Sequence, residues 1–253
     1  MSNSIGESGT AKSVPADPRL LADLAVANRI LYHRGVLDAF GHVSVRHDKT
    51  PDRFLLARNM APGLVAPDDI MEFDRFGEPV AANGRRVYLE RFIHSEIYKA
   101  RPDVAAIVHS HSPSVVPFGI VPSVPLRACC HMAGFIGLST PIFEIREATS
   151  APTDLLISNP ELGTALAISL GARSLVLMRG HGSTVVAPDL RLVVYRAVYA
   201  ETNARLQSEA MRLGPVVYLS QDEADATLET VEKQVDRAWN LWRDEADAAV
   251  QEQ

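Results

Sequence analysis

Between Arg19 and Tyr32 apolar side chains return every three or four positions, as at Leu20, Leu24, Ala27 and Leu31, and the run stops at Gly35. That is the period of one buried helical face, so the pattern predicts a first helix there. His42-Val43-Ser44-Val45-Arg46 and Arg53-Phe54-Leu55-Leu56-Ala57 read instead as two short strands, with the turn formers Asp48-Lys49-Thr50-Pro51-Asp52 between them. A hairpin is the simplest reading. Ile70 to Asp74 alternates apolar with acidic residues ahead of Gly77, and helical spacing returns from Tyr88 to Ala100, ending before Pro102. Val104 to Val108 is an apolar strand that runs into His109-Ser110-His111. Gly163 to Leu170 reads as a helix, Ser174 to Met178 as a buried strand, and Arg191 to Leu213 as a long helix ended by Gly214. From Gln221 to Val250 the stripe Leu228, Val231, Val235, Trp239 and Trp242 predicts a helix whose role is packing.

Strands and helices are interspersed with no internal repeat and no Gly/Ser linker, which predicts one α/β domain over residues 18–220. A tail over residues 1–17, rich in small polar residues and without periodicity, is expected to be flexible, and residues 221–253 form a C-terminal helical extension. The 253 residues are 47% hydrophobic and 22% charged, a globular composition. A net charge of −6 lacks the basic footprint of a nucleic-acid or anionic-membrane binder and favours a small-molecule partner. The only cysteines, Cys129 and Cys130, are neighbours and make a strained disulfide, which fits a reducing compartment. With no apolar leader and no membrane-length apolar run, a cytoplasmic location is expected.

His109 and His111 stand two apart at the end of a strand, where alternation turns both imidazoles to one face. Such a pair can hold a metal; its bland alternative is two hydrogen-bonded structural histidines. Arg179-Gly180-His181-Gly182-Ser183 follows the strand ending at Met178, and its glycines permit backbone conformations that bring His181 toward a site, or simply make a tight turn. Three histidines at strand ends match catalytic divalent-metal sites, which need three protein ligands and an open position. Glu90, near the start of the helix from Tyr88, is a fourth candidate; its bland alternative is a solvated first-turn acid favoured by the helix dipole.

The run Arg101-Pro102-Asp103-Val104 leading into Val108-His109-Ser110-His111-Ser112, followed by Arg179-Gly180-His181-Gly182, resembles the class II aldolase/adducin family over about residues 18–220. The resemblance implies a central, mostly antiparallel sheet covered by helices on both faces. It implies one divalent ion per subunit, Zn2+ or Mn2+, on His109, His111 and His181. Glu90 becomes the general acid/base, able to approach the metal when substrate is absent. A homo-oligomer is also implied, a tetramer with active sites between adjacent subunits.

Three segments depart from the sugar-phosphate members of that family: Phe40-Gly41-His42, Ala57 to Pro62, and Val87-Tyr88-Leu89 ahead of Glu90. A phosphate cradle needs small residues, hydroxyls and open backbone N–H groups, and Tyr88-Leu89 adds bulk instead. A larger, flatter, carboxylated substrate is expected, with His42, Arg58, Arg85 and His131 as candidate binding residues. The bland alternatives are surface arginines and a buried structural histidine. Gly41-His42-Val43-Ser44-Val45-Arg46, Tyr88 to His94, His109 to Ser114 and His131-Met132-Ala133-Gly134 resemble the family's decarboxylase branch. That implies a metal-dependent carbon–carbon lyase, decarboxylating a hydroxy aromatic or hydroxypyridine (di)carboxylate through a metal-stabilised enolate-like intermediate. Glu90, with a raised pKa, would manage the proton. The competing readings are a class II (retro-)aldolase for a non-phosphorylated hydroxy-keto acid or aldehyde, and a non-catalytic adducin-like interaction module, in which eroded ligands are expected.

Overall fold

A computed structural model describes residues 14–251. The tail expected over residues 1–17 lies outside the described residues as far as residue 13. Of the remainder, Asp17 caps the first helix and Lys49 Nζ donates to the Pro15 carbonyl at 2.7 Å.

Helix α1 (Pro18–His33) begins where the sequence places its signals: the Asp17 side chain accepts from the Arg19 N–H and proline fills the first helical position. Strands β1 (His42–Arg46) and β2 (Arg53–Ala57) pair antiparallel with Ser44 opposite Leu56, across a turn closed by Arg53 N–H donating to Thr50 O. β3 (Ile70–Asp74) flanks β2, and α2 (Arg91–Ala100) leads to β4 (Ala106–Ser110). After the short helix α3 (Val116–Ile120) come β5 (Ile142–Phe143), α4 (Ile145–Ala148) and α5 (Pro160–Leu170). The hairpin β6 (Leu175–Met178) and β7 (Gly182–Ala187) precedes the long helix α6 (Leu190–Leu213).

One seven-stranded sheet results, in the order β3-β2-β1-β4-β7-β6-β5, and of its pairs only β5–β6 is parallel. Every residue of β4, β6 and β7 is buried, so these strands show no in–out alternation and both sheet faces are covered. α6 lies over β4 and β7 with α1 beside it, while α2 packs on α5 and reaches β1 through His94. The expected stripe beyond residue 220 is helical but broken. α7 (Gln221–Glu232), started by a Ser220/Glu223 capping box, stops at Lys233, and a second helix, α8 (Val235–Gln251), follows. Trp239, Trp242 and Ala246 of α8 are buried against the core that α1 and α6 share. Among the described residues no helix is long and apolar enough to cross a membrane.

Candidate metal centre

The register of the sheet assembles the site. His42 of β1 lies opposite His109 of β4, and cross-strand partners share a face, so the two rings stand 5.1 Å apart between centroids. His111 follows one residue past the end of β4. On the neighbouring pair, β6 ends at Met178 and the chain turns through Gly180, whose φ of +65° suits glycine, with His181 N–H donating to Met178 O. Gly182 then starts β7 so close to β4 that a Cβ there would stand 2.1 Å from the Ser110 carbonyl oxygen. The absence of a side chain lets the two histidine-bearing strand ends meet.

The three imidazoles converge. Nε2 of His109 is 3.3 Å from Nε2 of His111, which is 3.1 Å from Nε2 of His181. Glu90 Oε2 lies 3.5 Å from Nε2 of both His109 and His181, and the four donor atoms fall within 4.8 Å of one another. Metal–imidazole bonds of about 2.0–2.1 Å in tetrahedral array put neighbouring nitrogens about 3.3–3.4 Å apart, close to this spacing. The tautomer agrees. His181 Nδ1–H donates to the Leu155 carbonyl at 3.0 Å, so its Nε2 carries a bare lone pair toward the other rings. Burial pushes the pKa of His109 well below its ordinary value and lowers that of His111, so neutral rings face each other nitrogen to nitrogen. With the bare Nε2 of His181 3.1 Å from that of His111, a cation between the rings would take up lone pairs that all point to one place. The donor set therefore fits a divalent metal.

Glu90 differs from expectation in its place on the helix and in its pKa, and it is not the solvated acid of the bland alternative. It occupies the position before α2 rather than the first turn from Tyr88, and at 8% exposure it is no solvated surface acid. Its Oε1 accepts from the Ile157 N–H at 3.0 Å, which leaves Oε2 for the cluster. Burial alone would push its pKa up, as the proton-donor role expects. The adjoining His109 and His181 pull it the other way, to below the ordinary carboxylate range, a pull that needs positive charge at the cluster and that neutral imidazoles exert only around a cation.

The irregular segment Thr153–Ile157 is the part that sequence reasoning missed. It grips His181 through Leu155 O and Glu90 through Ile157 N, and Leu155 takes a φ of +72°, strain of order 1–3 kcal/mol for a branched residue. Thr153 Oγ1 and Asp154 Oδ1 accept from the N–H groups of Leu155 and Leu156, a local turn chemistry that marks the bend but not its targets.

Of the expected substrate residues, only His42 adjoins the cluster. It is buried, with Nδ1 bonded to Nε2 of His94 at 2.7 Å and its ring 4.7 Å from that of Tyr88. Arg58 is half-exposed and ion-paired to Asp69 at 2.7 Å. The Arg85 guanidinium folds onto the carbonyls of Ala81, Ala82 and Asp68. His131 is exposed at the start of a 3-10 segment, His131–Ile136, packed against α6 and α7, and no hydrogen bond among the described residues ties it to the four-residue cluster. An apolar side chain stands by the cluster instead, Phe40, 66% exposed with its ring 6.4 Å from that of His111, while Leu89, which precedes Glu90 in sequence, is 60% exposed.

The sequence pattern of the Class II Aldolase and Adducin N-terminal domain family matches residues 22–208. The chain belongs to this family. Among its relatives, decarboxylase tropJ of Talaromyces stipitatus is 41% identical over 236 residues, covering 84% of this chain and 88% of the other. A 3,4-dihydroxyphthalate decarboxylase of Arthrobacter keyseri is 31% identical over 201 residues, covering 76% and 78%. An L-fuculose 1-phosphate aldolase structure from Glaciozyma antarctica superposes with a TM-score of 0.74 at 21% identity, over 97% of this chain and 96% of that one. The antiparallel-dominated sheet is therefore the class II aldolase fold. The eroded ligand set expected of a non-catalytic member is not what the cluster displays.

Proposed function

We propose that the chain is a divalent-metal-dependent carbon–carbon lyase that decarboxylates a hydroxy aromatic or hydroxypyridine carboxylate. The observation that carries this reading is the convergence of three imidazole Nε2 atoms with Glu90 Oε2 3.5 Å from two of them. Family membership and the two decarboxylase relatives support the reaction class. His109, His111 and His181 would hold the ion, zinc or manganese. When bound, the ion supplies a Lewis-acid sink for the electron pair released as the carbon–carbon bond breaks.

This chain's own groups do the rest. Phe40 offers apolar surface at the rim, suited to a flat ring, where a phosphate cradle would need hydroxyls. Glu90, fixed by the Ile157 amide, accepts the proton of the substrate's ring hydroxyl and returns it to the ring carbon as CO2 departs. His42 contributes polar contact from β1. Arg58, Arg85 and His131 remain candidates only at the periphery, Arg58 and Arg85 having partners of their own. The chain works as a homo-oligomer in this reading, supported by the exposed apolar side chains Leu213 at the end of α6 and Val217 beyond it, and a tetramer follows the family resemblance. Its two free thiols, Cys129 and Cys130, fit a cytoplasmic setting.

Product analysis tests the reaction. Zinc- or manganese-loaded protein given dihydroxyphthalates and hydroxypyridine dicarboxylates is expected to release CO2. An aldehyde from hydroxy-keto acids with no CO2 from any aromatic acid would replace this reading by aldol cleavage.

A further inference from the structure

Behind His42 runs a line of buried polar groups with no role in holding the metal. His42 Nδ1 meets His94 Nε2 at 2.7 Å, His94 Nδ1 meets Ser44 Oγ at 2.6 Å, and Ser44 Oγ meets the Tyr98 hydroxyl at 2.8 Å. All four residues are buried. Polar side chains on this scale are retained in a core only when each bond is made, and a neutral imidazole has one N–H, so the line must run in a single direction. Its far end decides which. Among the described residues the Tyr98 hydroxyl has one proton and two acceptors within reach, Ser44 Oγ at 2.8 Å and the Ala105 carbonyl at 3.4 Å, the latter also accepting from Arg46 N–H at 2.7 Å, and the shorter contact makes the better bond. With the Tyr98 proton on that shorter contact, Tyr98 donates to Ser44, Ser44 to His94 Nδ1, and His94 Nε2–H to His42 Nδ1.

We infer that Tyr98, Ser44 and His94 fix the tautomer of His42, so that its Nε2–H is a ready-made donor for a substrate oxyanion beside the metal histidines. Nε2 of His42 makes no hydrogen bond among the described residues, yet it is not one of the polar atoms sealed in the interior without a partner, as His109 Nδ1 is. It lies on the ring edge away from His94, on the sheet face that carries His109. The 2.7 Å bond between His94 Nε2 and His42 Nδ1 requires one of the two facing nitrogens to be bare, and burial pushes the pKa of His94 down to about 3. A neutral donor in a dry site favours an oxyanion over a ring nitrogen or an ammonium group, which narrows the substrate to one with a carboxylate or hydroxyl oxygen beside the metal-chelating atoms. His94, Ser44 and Tyr98 are positioning residues; only His42 touches the ligand. The oxyanion assignment rests on the carboxylate-substrate reading above, while the tautomer does not.

Long-range proton–nitrogen spectra of zinc-loaded protein labelled with 15N-histidine test the tautomer without any substrate. Signals are assigned by their loss in His42→Asn and His94→Asn. The expected result is a proton on Nε2 and a bare Nδ1 in both His42 and His94; a proton on His42 Nδ1 overturns the inference. The second arm is Ser44→Ala, which removes the donor to His94 with little change in volume. KM for the hydroxy aromatic acid is expected to rise roughly tenfold with kcat and zinc content little altered. An unchanged KM in a variant whose His42 has lost its Nε2 proton overturns the oxyanion role and leaves the decarboxylase reading standing.

Discussion

Gly182→Ala puts one methyl group into the contact that brings β4 and β7 together at the histidines. The added Cβ would sit 2.1 Å from Ser110 O, 3.0 Å from Ser110 C and 3.1 Å from His111 Cδ2, where ordinary contact begins at 3.4 Å. Two of these atoms are backbone, so no flexible side chain can swing aside, and the strand ends must part by about 1 Å. Overpacking of this kind costs about 1–3 kcal/mol, and in a chain of this size each kcal/mol lowers Tm by roughly 2–4 °C. The same displacement moves His111 away from His181, so zinc affinity should fall about 10- to 100-fold, the scale seen when a ligand loses its support. Competition with a fluorescent chelator measures the affinity and calorimetry the Tm. Gly84→Ala is the control: it places alanine at φ +77° with nothing within 4 Å, so it strains the backbone locally without touching the site. If Gly182→Ala binds zinc as wild type does, or loses no more than Gly84→Ala, the close strand approach is not what sets the histidine geometry.

Further outcomes follow from the same structure. His109→Ala and His181→Ala should each abolish stoichiometric metal binding by elemental analysis and CO2 release with it; retention of a full equivalent of ion would contradict the assignment. Glu90→Gln keeps the bond from the Ile157 amide but loses the charge, so metal is expected to stay bound while turnover falls roughly 10²–10⁴-fold in a CO2 assay. His94 has a pKa of about 3 in the folded chain against an ordinary 6.5, so the unfolded chain binds the extra proton as pH drops. Its contribution is complete above pH 6.5 and is lost progressively toward pH 3, about 1.4 kcal/mol by pH 5.5. The urea midpoint of metal-free protein should be lower at pH 5.5 than at 7.5, and less so in His94→Phe. Trp239→Ala, a fully buried truncation under α8, should cost about 3–5 kcal/mol in denaturant unfolding; a loss below 1 kcal/mol would mean that α8 is not part of the core.

What the sequence displayed well was anything with a local period or punctuation. β1 and β2 carry their boundaries because the turn between them is built of Asp, Lys, Thr and Pro, and α1 carries its own in Asp17 and Pro18. The histidines were legible because strand ends and glycines flank them. Long-range pairing was not. Nothing near Arg58 announces Asp69 as its partner, and nothing near Glu90 announces the amide of Ile157, so sequence reasoning expects a free arginine and a proton-rich acid where the structure has an ion pair and a carboxyl with a lowered pKa. Likewise His94 sits on the apolar-spaced face of α2, where periodicity cannot distinguish a packed ring from one wired to Ser44 and His42. The break at Lys233 also left no trace, since the stripe from Leu228 to Trp242 keeps its spacing across it.

The stretch around Leu155 has no ladder or helix of its own, yet one of its carbonyls and one of its amides steady His181 and Glu90, two donors that lie far apart in sequence. Loosening it would disarm an anion and an imidazole together. A graft of the histidine motifs into another scaffold would thus inherit the ligands but forfeit the brace, and engineering that aims to retune this centre has a single short handle that alters both at once.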